Sequence, residues 1–259
     1  MTTTKRGLLS VVAVLVLGAS AVSGHAIAVS QAQADDNNVR AEIMRKLSKS
    51  QFKNVQVGVQ DGVAKLTGTV DVFSQKEDAD KRVHGIKGVT AVDNEIQVAG
   101  PEISDAELQE KLVKAIQYDR VGYGTTPFNA ISVSVHDGAV TLGGSAYGPV
   151  DADSAVAVAA NTKGVKDVVN EIRVDPPSPM DDGIRRAVYR AVYGFTSLNR
   201  YAIDPGQPIR IAVQNGNVTL YGVVESQADK DTAGIRANSV PGVFKVTNLL
   251  QVAGQPEQR

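Results

Sequence analysis

Three kinds of side chain in this sequence could carry chemistry: two histidines in the body of the chain, a few closely spaced carboxylates, and tyrosines and phenylalanines gathered near arginine and glycine. His84 and His136 stand without a serine nucleophile signature or a second ligand at metal spacing, so general-base catalysis and zinc coordination both lack their partners. Asp151 with Asp153, and Glu225 with Asp229, have the spacing of an acid and a base. Acidic residues in a helix's first turn, however, are what its dipole attracts in any case. Gly122-Tyr123-Gly124 lacks the third glycine of a dinucleotide loop and lies between a helix and a strand, the reverse of that motif's order. The chain has no cysteine, which excludes thiol catalysis, disulfides and thiolate metal sites. The sequence predicts no enzyme, no metal and no cofactor.

The aromatic set is what remains. Of the 7 tyrosines and 5 phenylalanines, seven fall in two stretches. Tyr118, Tyr123 and Phe128 form one group, and Tyr189, Tyr193, Phe195 and Tyr201 form the other, with Arg120, Gly122, Arg190, Gly194 and Arg200 among them. Tyrosine and arginine are favoured contact residues, so these stretches could form a recognition surface. The same rings could instead close the ends of small cores or pack one domain on another.

The elements that would position them come from a repeated line of sequence. Asp61-Gly62 opens a run to Val70, Asp137-Gly138 a run to Ala146, and Asn215-Gly216 a run to Val224. Each is a pair tolerant of positive φ followed by period-two alternation, the signature of a tight hairpin. Gly62, Gly138 and Gly216 step by 76 and then 78 residues. Gly68, Gly144 and Gly222, and also Asn94, Asn170 and Asn248, keep the same steps, so the chain contains three homologous units. In the first unit, Val39, Ile43 and Leu47 predict an amphipathic helix over Asn37 to Ser50. Val55, Val57 and Val59 predict a first strand, and a second follows the turn. A helix capped by Ser74 comes next, and a third strand runs from Val89 to Val98.

The expected class is α+β: three tandem two-layer domains, each α-β-β-α-β, with a three-stranded sheet covered on one face by two helices. The boundaries are 36–100, 104–175 and 181–253, with a proline-rich linker at 176–180 and a tail at 254–259. Seven residues are added between helix and strand in the second unit, and the third also carries this enlarged link, which holds the aromatic groups. Gly68 on the inward face suggests close approach of a helix. The three asparagines, each in an apolar row, would either contact a ligand or satisfy nearby backbone groups.

Lys5 and Arg6, an apolar run from Gly7 to Gly18, and Ala32-Gln33-Ala34 before Asp35 have the layout of a signal peptide over 1–34, cleaved between Ala34 and Asp35. An uncleaved anchor is the competing reading. Cleavage removes two basic residues, leaving 27 − 2 = 25 against 28 acidic ones. That balance argues against a nucleic-acid partner.

A helix, then Val-x-Val-x-Asn/Asp-Gly-x-Val-x-Leu-x-Gly, a helix, Gly-Val and a closing strand with Val-x-Asn resembles the BON domain, in three copies. The resemblance implies an exported, periplasmic, non-enzymatic protein associated with phospholipid surfaces and with osmotic or envelope stress. It transfers no catalytic residues. A protein-directed scaffold or chaperone-like role, binding envelope or exported proteins through the aromatic links, is the alternative.

Overall fold

The computed structural model describes residues 22–254, and the expected leader's apolar run lies outside them. In the first module, α1 (Val22–Lys46) leads through a 3-10 turn at Ser50–Phe52 to β1 (Val55–Gln60) and β2 (Val63–Val70). Then come α2 (Phe73–His84), β3 (Ala91–Asn94) and β4 (Gln97–Val98). β2 is central, antiparallel to β1 and parallel to β3 and β4. The second module repeats this with α3 (Asp105–Asp119), β5 (Ala130–His136), β6 (Ala139–Ala146), α4 (Pro149–Ala160), β7 (Asp167–Asn170) and β8 (Arg173–Val174). The third has α5 (Pro179–Tyr193), a short α6 (Arg200–Ile203), β9 (Arg210–Gln214), β10 (Asn217–Tyr221), β11 (Val223–Val224), α7 (Gln227–Asn238), β12 (Lys245–Asn248) and β13 (Gln251–Val252).

Local sequence accounts for these elements. The hairpin pairs adopt positive φ at both positions, 51° and 76° at Asp61-Gly62, 51° and 80° at Asp137-Gly138, and 50° and 74° at Asn215-Gly216. Both central residues of a type I′ turn must do so, and its twist matches the strands it joins. Behind the turns, Ala64, Leu66 and Val70 are buried, as are Val140 and Leu142 in β6 and Val218 and Leu220 in β10. The first helices bury Ile43 and Leu47, Leu108 and Leu112, and Ile184, Val188 and Val192 onto those sheets. Each such side chain contributes about 1.5–3 kcal/mol. Three separate clusters of buried residues result, one per module.

Several expectations are corrected. The first helix does not begin at Asn37 but continues upstream to Val22, since no proline interrupts the intervening sequence. α1 includes Ala34 and Asp35, and the expected cleavage between them stands as an expectation. Ser74 does not cap α2. The helix starts a residue earlier, at Phe73, with no side-chain cap, and Ser74 Oγ instead donates to Asn161 Oδ1 of the second module at 2.8 Å. The single third strand divides at Glu95-Ile96, where Asn94 Oδ1 accepts from the Ile96 N–H at 3.3 Å. The proline-rich linker ends at Ser178, because Pro179 opens α5 and Ser178 accepts from the Asp181 N–H at 3.2 Å.

Gly68 is required for a different reason from the one its position suggested. Its φ is +102°, and a Cβ there would collide with the Asn54 carbonyl oxygen on the chain entering β1. Gly144 meets Ala130 and Gly222 meets Pro208 in the same way. The close approach is strand to strand across the hairpin, not helix to sheet.

Candidate interaction surface

The enlarged links fold mainly inward. Pro127 sits in a 3-10 turn, Thr126–Phe128, that delivers Phe128 out of the second module and into the third module's core. Its ring lies 5.7 Å from Tyr147 and 6.2 Å, edge-on, from Tyr189, which stacks at 4.8 Å on Tyr193. The buried Tyr193 hydroxyl donates to the Ile209 carbonyl at 2.8 Å and accepts from the Ile209 N–H at 3.0 Å. Burial pushes this phenol far above its ordinary pKa. Tyr201 is buried as well, donating to Asp229 at 3.1 Å and accepting from the Glu225 N–H at 2.8 Å. Phe128, Tyr193 and Tyr201 are therefore mainly interior residues. Tyr118, Tyr123 and Phe195 remain at the surface, with Tyr189 half-buried. Arg120 lies over Tyr123 at 4.0 Å and Arg236 over Phe195 at 4.9 Å. Tyr118 donates to Asp204 across the modules at 3.1 Å, and that carboxylate raises its pKa.

Two carboxylates with acid–base spacing hold these links in place. Asp151 is buried and accepts from Arg120 Nε at 3.2 Å, Thr125 Oγ1 at 2.6 Å and Asn129 Nδ2 at 3.0 Å. Asp229, 78 residues on, accepts from Arg200 at 2.5 Å, Ser226 Oγ at 2.6 Å and Tyr201. The first module, without an enlarged link, has Gln75 at the matching position, and this register was a usable sequence signal. Arg185, only 2% exposed, donates to Asp175 and to the Val213 carbonyl at 2.7 Å each, and to Asp182 at 2.7 Å. Burial pushes the Asp175 carboxyl up, with Arg185 opposing. Arg210 donates to the Thr126 carbonyl, and its own burial pushes its pKa down.

Sequence reasoning missed a second threefold device. Asp36 accepts from the N–H groups of Asp61 at 2.8 Å and Gly62 at 3.0 Å. Asp105 does so from Asp137 at 2.7 Å and Gly138 at 3.0 Å, and Asp181 from Asn215 at 3.0 Å and Gly216 at 2.9 Å. Each aspartate sits three residues before the first apolar residue of its helix stripe and clasps the hairpin turn, a regularity visible in the numbering. The two backbone donors hold the Asp105 carboxyl below its usual range. Asn94 and Asn248 donate to the Lys76 and Lys230 carbonyls at 3.1 and 2.6 Å and accept from Ile96 and Leu250. Asn170 accepts from Ile172 at 3.0 Å. Among the described residues, no cluster of three or more His, Asp or Glu could hold a metal, and no helix is long and apolar enough to cross a membrane.

The outer surface differs between modules. Phe244, Leu249 and Ile235 are 76%, 51% and 68% exposed on the third module. Phe244 and Leu249 bracket the edge strand β12, and exposed Lys245 lies between them. Their counterparts are Thr90, Glu95 and Lys81 in the first module and Lys166, Glu171 and Ala157 in the second. In the first module this edge is closed by Lys65 with Glu95 at 2.6 Å.

Together these observations define a tandem array of three small α-β-β-α-β modules whose equivalents differ in links and edges. The chain belongs to the BON-domain family, whose model matches residues 35–100, 104–176 and 196–254. The third match leaves out α5, which the structure nevertheless supplies as that module's first helix. The chain is 27% identical over 153 residues to osmotically-inducible protein Y of Escherichia coli K12, covering 54% of this chain and 72% of that protein. Two structures of CdsD, a structural protein of the type III secretion system of Chlamydia trachomatis, align at 15% and 16% identity. They cover 82% and 84% of this chain and 96% and 94% of theirs, at a TM-score of 0.24 that carries no argument.

Proposed function

We propose that this is an exported, non-enzymatic periplasmic protein that supports the envelope under osmotic stress by contacting phospholipid surfaces. The leader-like amino terminus and the similarity to an osmotically-inducible protein support the setting. The observation that carries lipid contact is the third module's surface, where Phe244 and Leu249 at the edge strand, and Ile235 on α7, stand in water at positions polar or small in its sister modules. Protruding apolar side chains beside a lysine suit insertion among anionic headgroups, each adding at most about 1.5–3 kcal/mol. Further weak contacts from the other modules would multiply this through a high effective concentration. A scaffold role through the aromatic links would have to work with Tyr118, Tyr123 and Phe195, since the other link rings are wholly or partly inside.

The test is co-sedimentation with vesicles of phosphatidylglycerol mixed into phosphatidylcholine. The wild-type chain sediments with the anionic vesicles, and Phe244→Ser combined with Leu249→Ser loses most of that binding without a change in its melting curve. Absence of sedimentation at every lipid composition rejects the reading.

A further inference from the structure

A second feature of the molecule has the makings of a ligand site. Between α5 and the enlarged link of the second module lies a cleft of about 540 Å³. One wall is the helix face carrying Arg186, Tyr189 and Arg190, and the other brings Tyr123, Phe128 and Tyr147. Arg186 and Arg190 are four apart on one helix, which places their stems side by side. Both are exposed, and among the described residues neither has an ion-pair partner. Arg185 in the same lining is buried, with an Nε that finds no hydrogen-bond acceptor. Arg185 is already paired with Asp175 and Asp182, so the positive charge the lining offers comes from Arg186 and Arg190, in a chain whose formal net charge is −1. A local excess of positive charge against the sign of the whole molecule focuses anions into the cleft.

We propose that this cleft binds a phosphate ester, its phosphate held by Arg186 and Arg190 and its stem lying against Tyr123 and Tyr147. Guanidinium groups match phosphate oxygens with paired donors, and an aromatic wall accepts the apolar or planar group attached. Tyr123 is 68% exposed, with Arg120 over one face of its ring, so the stem would lie against the rest of it. The ester could come from a lipid headgroup or from a soluble metabolite, and the chemistry is common to both.

Isothermal titration calorimetry on the full chain at low salt, with inorganic phosphate, phenyl phosphate, glycerol 3-phosphate and dihexanoyl phosphatidylglycerol below its micellar limit, tests this. Phenyl phosphate is expected to bind about tenfold more tightly than inorganic phosphate. Arg186→Gln with Arg190→Gln weakens every binding probe about tenfold or more, and Tyr123→Ser narrows the gap between phenyl and inorganic phosphate. Binding confined to the phosphatidylglycerol assigns the ester to lipid, and binding of the soluble esters alone assigns it to small molecules. Equal binding by the wild-type chain and the double arginine variant, or no binding of any probe, overturns the proposal. The variant lacking Phe244 and Leu249 keeps this binding whatever it does on vesicles, so the two readings fail separately.

Discussion

The two junctions between modules use the same device in different chemical surroundings. At the first, Phe73 from the start of α2 enters the second module's core beside Val98, and Ser74 reaches Asn161. At the second, Phe128 from the enlarged link enters the third module's core among Tyr147 and Tyr189. Only there does a buried charge network follow, with Arg185 joined to Asp175 and Asp182, and Arg210 bonded to the Thr126 carbonyl. At the first junction one inserted ring and an exposed hydrogen bond join the modules. The added link residues and arginines fix the modules' orientation at the second and leave a cleft, so elaboration of the link converts a joint into a surface with recognition chemistry.

Substitutions can break or sharpen that contrast. Phe128→Ala should be the most damaging, at about 4–5 kcal/mol, because it empties a core and removes two ring contacts. Phe73→Ala should cost about 3 kcal/mol. Urea unfolding followed with limited proteolysis checks both, and equal costs would mean the ring partners at the second junction add nothing. Arg185→Met should cost about 3 kcal/mol, mainly because it strands Asp175, and its effect should change little with salt because Arg185 and Asp175 are largely out of water, unlike the more exposed Asp182.

Acid sensitivity separates the junctions from each module's own closure. The Asp105 carboxyl is held below its usual range, so the stability it gives is present above the ordinary carboxylate range and lost as pH falls through its lowered value. Asp105→Asn should flatten that part of the urea-midpoint curve against pH, whereas the Asp175 carboxyl at the junction, pushed up by burial, acts with the opposite sign. Ser74→Ala should be the mildest change, about 0.5 kcal/mol by the same urea assay, because its bond is exposed.

Much of the fold was readable because its determinants are local. The Asp-Gly and Asn-Gly turns, the alternation behind them and the apolar stripes each lie within a few residues of what they specify. The three glycines at Gly68, Gly144 and Gly222 announced a close approach, yet spacing alone does not say which backbone arrives. The destination of Phe128 depends on a neighbouring module, so spacing alone left its ring open to a surface or a core. Asp36, Asp105 and Asp181 were missed because their hydrogen-bond partners lie 25 to 35 residues away. Their common offset from the helix stripe was visible nonetheless.

The first of those clasps sets how far the amino terminus can be trimmed. A mature chain starting at Asp35 keeps the Asp36 carboxylate one residue from its new end, whereas one starting at Asn37 leaves the Asp61 and Gly62 amides without their acceptor. If the chain is cut where the leader pattern expects, the cut and the fold share a boundary, and a slip of two residues would loosen the hairpin on which the first module is built.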